Sequence, residues 1–233
     1  MLLSKDESKE TAWHKAAKGG HVELLEKLWH WAKKLQLKPE ELRNDLLLSR
    51  DIYGKTALHK AAGKGHIKLL NKMWDWAKEL QLKPEELRNE LLLSKDNSKE
   101  TAWHKAAEIC HFEILDRLWN LAKELQVEPE ELRNEVLFSK NAYESTIWHK
   151  AAERGQVEIL EKLWDWAKEL QLKPEELRNE LLLSTDNSKK TAWQKAAENG
   201  HFTVLNKLGD WVEELKVKPE ELGNEMLLLK DES

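Results

Sequence analysis

The sequence predicts an all-α protein, a solenoid of five stacked three-helix repeats, on three observations. Charged residues make up 35% of the chain while Gly numbers only 9 and Pro only 5, a composition of long helices rather than of many-turned sheets. Thr11, Thr56, Thr101, Thr146 and Thr191 recur every 45 residues, as do all five prolines, Pro39, Pro84, Pro129, Pro174 and Pro219. Within each copy the apolar residues return at helical spacing. The copies run approximately over 4–48, 49–93, 94–138, 139–183 and 184–228, with 229–233 as a C-terminal tail, and the whole of 1–233 is expected to be one repeat domain.

Each element follows from local chemistry. Thr11 is a hydroxyl N-cap, so the first helix runs through AWHKAAK to Gly19-Gly20. A second helix is predicted from about His21 to Gln36. At 100° per residue its Leu24, Leu25, Leu28, Trp29, Trp31, Ala32 and Leu35 share one broad arc, with the two tryptophans at its edges. Pro39 opens a third helix, since a first-turn residue needs no N–H, and Glu40 and Glu41 suit the positive end of the dipole; it runs to about Leu48. SRDIYGKT then forms a turn before the next capping threonine. Such a trio cannot bury so wide an apolar face alone, so neighbouring copies must share a core.

At this point the residues resemble a family. DIYGKTALHKAAGKGHIKLL, with TAWHKAAKGGHVELL, TAWHKAAEICHFEIL, TIWHKAAERGQVEIL and TAWQKAAENGHFTVL, is similar to the ankyrin repeat signature T-P-L-H-x-A. The resemblance implies a right-handed solenoid of ankyrin-like repeats, a structural hydrogen-bonding role for the histidine at the His14 position, and partner binding along the loops and first helices. The chain departs from the family in replacing its Pro by Ala or Ile, in setting Trp for Leu in four copies, and in carrying twelve extra residues per unit, which supply the PEELRNELLL helix.

The net charge of −5 gives no general nucleic-acid footprint. The opening MLLSKDESKE lacks the features of a secretory signal, and no apolar run is long enough to span a bilayer. A single cysteine, Cys110, fits a reducing, cytoplasmic setting.

Histidines recur seven apart in the first three copies, but Gln156 and Gln194 interrupt the series and only Cys110 offers a thiolate, so no metal or other cofactor is expected. The tryptophans read as core or inter-repeat residues rather than as a base-stacking ladder. Lys15, Lys60, Lys105, Lys150 and Lys195 repeat in every copy, and their helical position predicts a solvent-facing ladder that meets an anionic ligand or pairs with nearby carboxylates. Glu pairs such as Glu40-Glu41 recur in all five copies and read as helix-start residues, so no one-off catalytic constellation stands out and the protein is expected not to be an enzyme.

Residues that differ between copies carry the remaining information. Ile52, Tyr53, Lys64, Ile109, Tyr143, Ile147 and Arg154 fall at otherwise polar or variable places in the loops and around the first helices, and are the candidate partner contacts. The expected function is protein or peptide recognition by a monomer, with no specific nucleic acid and no membrane. A ligand-free structural spacer or engineered scaffold, and an anionic-ligand binder using the lysines, are the alternatives. Two further expectations concern single copies: Trp29 and Arg43 should reach forward to the following repeat, since the last copy has Gly209 and Gly223 at their places, and Cys110 should adopt the positive φ of the glycines it replaces.

Overall fold

The computed structural model describes residues 2–217. Among them the chain is all-helical and contains no β-strand beyond one isolated Thr185–Thr191 bridge. Two compact units result, Met1–Leu132 and Arg133–Ser233. The last third helix, with Pro219 and Gly223, and the 229–233 tail lie outside the described residues.

The first unit contains α1 (Ala12–Gly19), α2 (Val22–Lys34), α3 (Pro39–Glu41), α4 (Ala57–Ala62), α5 (Ile67–Glu79), α6 (Pro84–Glu86), α7 (Ala102–Glu108), α8 (Phe112–Glu124) and α9 (Pro129–Leu132). The second contains α10 (Ile147–Glu153), α11 (Val157–Glu169), α12 (Pro174–Glu176), α13 (Ala192–Glu198) and α14 (Phe202–Glu214). First helices pack on first helices, α1 on α4 on α7 and α10 on α13, while α2, α5 and α8, and α11 and α14, form parallel rows of their own. Like therefore packs on like, as identical in-register sequences require.

The predicted third helix departs from its expected winding. After Pro39–Glu41 the chain passes into a π-helical turn, Leu42–Leu47, closed by Leu48 N–H donating to the Arg43 carbonyl at 2.8 Å. The same turn recurs at Leu87–Leu92, Arg133–Leu137 and Leu177–Leu182. The leucine pattern supplies the reason. Leu42, Leu46 and Leu47 are all buried, and at α-helical steps the third would sit about 140° from the first; i→i+5 winding turns less per residue and brings the three onto one face. The second glutamate of three of the PEE segments caps the helix start, with Lys38, Lys83 and Lys173 N–H donating to Glu41, Glu86 and Glu176 at 2.7, 2.7 and 2.8 Å.

The forward reach of Trp29 and Arg43 is present. Trp29 stacks on Trp76 of the next copy at 5.2 Å and donates its indole N–H to Glu79 at 3.1 Å. Arg43 meets Glu86 at 2.8 Å and Glu90 at 2.6 Å. Trp13 closes the cluster at 5.0 Å from Trp76, and in the second unit Trp148, Trp164 and Trp211 repeat the arrangement, the last two stacked at 4.7 Å. These tryptophans are thus inter-copy core, whereas Trp31 is exposed.

Cys110 has φ 57°, beside 68–72° at Gly20, Gly65, Gly155 and Gly200. At three of those glycines the space where a Cβ would stand is taken by the histidine ring of the next copy, His66, His111 or His201. In sequence, Cys110 is the exception to the glycine series, and Gln156, one copy later, is the exception to the histidine series. Cys110→Gly is expected to raise stability by up to roughly 1 kcal/mol. Urea unfolding checks this, and a loss of stability would mean that the thiol makes contacts worth more than the strain.

Candidate protein-binding surface

The loops between copies are shaped by one carboxylate or amide each. Asp51 Oδ1 accepts from the Tyr53 and Lys55 N–H groups, both at 2.9 Å, and Asn141 repeats this with Tyr143 and Ser145 at 2.9 and 3.0 Å. Such a turn folds the backbone polar groups inward and leaves the tip side chains out. Tyr53 is 58% exposed and Tyr143 60%, with Ile52 beside Tyr53 and also exposed, and Lys55 Nζ lies 5.7 Å from the centre of the Tyr53 ring.

Each tip is also tied to its neighbours. Ile52 N–H donates to the Ser8 carbonyl at 3.0 Å, Asn97 N–H to the Tyr53 carbonyl at 2.9 Å, and Asn187 N–H to the Tyr143 carbonyl at 3.0 Å. Asn97 adds a side-chain bond to the Ile52 carbonyl at 2.9 Å. Within each unit neighbouring tips are held together, so the backbone under an exposed tyrosine loses little freedom on binding.

The histidines behind the loops fill the structural role that the sequence assigned to them. His14 Nδ1 accepts from Thr11 N–H at 3.3 Å while Nε2 donates to the Ser49 carbonyl at 2.8 Å; His59 and His149 do the same towards the Glu100 and Ser184 carbonyls at 3.1 and 2.9 Å. These partners require the neutral Nε2–H tautomer. Burial pushes His59 and His149 down to about 4, and lowers His14 as well.

The lysines differ from the expected solvent-facing ladder. Lys60 is largely buried between Asp51 at 2.7 Å and Glu10 at 2.5 Å. Lys105 pairs with Glu100 and, at 3.4 Å, with Asp96; Lys195 pairs with Asp186 at 2.9 Å and Glu153 at 3.2 Å. Lys15 is exposed yet still meets Asp6 at 2.7 Å. Burial is the largest single effect and would lower the Lys60 pKa and raise that of Asp51, but the pair's hydrogen bond, the added bonds from Glu10 and the loop amides, and the opposite charges together outweigh it, so the lysine is raised and the aspartate lowered. These ammonium groups brace the turn-forming aspartates. Lys150, whose loop has Asn141 in place of Asp, is half-buried like Lys60, Lys105 and Lys195.

Among the other candidates Lys64, Ile109 and Arg154 are exposed. Ile147 is not: it is 0% exposed. It opens α10 at the place held by the buried Ala57, Ala102 and Ala192, and the first turn of these helices faces the packed interior, so an apolar residue there adds to the core instead of awaiting a partner.

The described residues thus define an all-helical repeat protein with rows of rigid, partly apolar loop tips. A family model described as a ubiquitin binding region matches residues 81–99, 129–140 and 171–189. No curated protein matches the chain. The match corrects the ankyrin resemblance: the PEELRNE segment, which sequence reasoning set aside as an insertion into an ankyrin-like unit, is what family comparison picks out, and it is similar to a protein-binding region.

These segments hold surface that sequence reasoning missed. Their leucines, among them Leu87, Leu91, Leu92, Leu177, Leu181 and Leu182, are buried, whereas Pro84, Glu85 and Asn89, and Pro174, Glu175 and Asn179, are exposed. The glutamates read as helix-start residues, which the capping by Glu86 and Glu176 bears out for the second of each pair, and that reading hid the outward position of the first. The available signal was repetition of exposed residue types that no packing requires.

Proposed function

We propose that the chain is a non-enzymatic protein-recognition module, its copies stacked in solenoid fashion within each unit, with the loop tips and the outward strip of the third helices as the contact surface and a ubiquitin-fold protein as partner. One observation carries this reading. Asn97 and Asn187, which hold the Tyr53 and Tyr143 tips, lie inside two of the segments similar to a ubiquitin binding region, so the residues singled out from the sequence and those singled out by comparison belong to the same local structure. Stacking is supported by the recurrence of the tryptophan cluster and of the loop-to-loop bonds within each unit. The anionic-ligand alternative loses its basis where Lys60, Lys105 and Lys195 are already paired.

Titration with isotope-labelled ubiquitin, followed by NMR shifts, tests the reading. Alanine at Ile52, Tyr53, Ile109 and Tyr143 together is expected to leave thermal stability nearly unchanged and to weaken binding by about 1 kcal/mol or more. Absence of shifts with ubiquitin would remove that partner, and retention of full affinity by the fourfold variant would remove these tips from the surface.

A further inference from the structure

The face of α2 left open by the described copies carries Leu24, Trp31 and Leu35, all exposed, and Trp31, Lys34 and Leu35 line a groove of about 520 Å³ with Leu2, Ala12 and Leu28. Contacts inside each unit define what fits such a face. A preceding copy presents a Trp13- or Trp148-type ring to the residue at the Trp31 position, and a lysine to a glutamate three residues further on: Lys33 to Glu79, Lys78 to Glu124 at 3.7 Å, and Lys168 to Glu214 at 2.6 Å.

In the first and last of the five copies this pair is inverted. The first copy has Lys34 where the other copies have Glu79, Glu124, Glu169 and Glu214, and the last copy has Glu213 where the others have Lys33, Lys78, Lys123 and Lys168. Lys34 and Glu213 are both exposed. Each of these two faces is mismatched to an internal copy, since lysine would face lysine and glutamate would face glutamate, but the two are matched to each other. We propose that the α2 face of one chain docks on the α13–α14 face of a second copy, head to tail, with Lys34 opposite Glu213 and Trp31 against Trp193. Gly209, in place of the forward-reaching tryptophan, weakens this joint relative to the internal ones and leaves it reversible. The contact is heterologous, so growth continues past a dimer unless the ring closes.

Sedimentation velocity over a concentration series tests this on the full chain. Mean mass should rise with concentration. Lys34→Glu and Glu213→Lys should each raise the concentration for half-association by roughly tenfold, and either the double variant or a mixture of the two single variants should recover it. Trp31→Ala, at a surface position, should abolish association with the fold intact by circular dichroism. A mass that stays at one chain throughout, or association that ignores the charge swap, would overturn the proposal.

Discussion

Lowering the pH from about 7.5 to about 5 is expected to remove roughly 2 kcal/mol of stability for each of His59 and His149. Both rings are neutral in the fold, pushed down to about 4 from the 6.5 of a free imidazole. A group whose folded pKa is depressed takes up its proton more readily in the unfolded chain. The stability it supplies is therefore complete above about pH 6.5 and is lost as the pH falls towards 4. The carboxylates of Asp51 and Asp186 are also lowered, through Lys60 and Lys195 against the opposing effect of burial, but from 3.8, so their loss comes in a more acid window. The last copy supplies the control. Gln194 replaces histidine there and its Oε1 accepts from Thr191 N–H at 2.8 Å, preserving the helix-start bond with a group that does not titrate. Urea midpoints measured against pH should flatten in the His59→Gln, His149→Gln variant even if it starts lower at neutral pH. An unchanged slope would show that other groups govern acid unfolding.

Trp76→Ala should cost about 3–5 kcal/mol, the range for emptying a large aromatic from a core. Its ring lies 5.0 Å from Trp13 and 5.2 Å from Trp29, so truncation opens the joint between two copies. Trp31 occupies the same place in the first copy and is 51% exposed. Trp31→Ala, studied dilute enough to keep chains apart, should change stability by no more than about 0.5–1 kcal/mol. Equal losses from the two substitutions would mean that position within the copy, rather than the neighbouring copy, sets the burial of these rings.

The features legible in the sequence are those that one copy decides for itself. Thr11 at a helix start, Pro39 at the next, the apolar arc of α2 and the positive φ at Cys110 depend on chemistry within a few residues. What depends on the adjacent copy was harder to read. Lys60 looked solvent-facing because its partner Glu10 lies 50 residues away, and Ile147 looked like an exposed exception because nothing local marks the first turn as interior. The π-helical turn lies between these cases: the LLL run was visible, but only the demand that Leu42, Leu46 and Leu47 share one face selects the winding. The candidate surface was half legible, with the exposure of the loop tips readable from the sequence and the third-helix strip concealed by the capping role of its neighbouring glutamate.

The histidine bonds have a further meaning for the order in which the chain becomes complete. His14 in α1 finds its acceptor at Ser49, and His149 in α10 finds its own at Ser184, in each case where the next copy begins. The loop amides point the other way, Ile52 back to Ser8 and Asn97 back to Tyr53. As the chain leaves the ribosome, a newly made copy therefore holds a buried imidazole donor without an acceptor until the start of its successor emerges, and that successor finds its own loop acceptor already in place. Assembly is directional: the arrival of each copy completes the one before it.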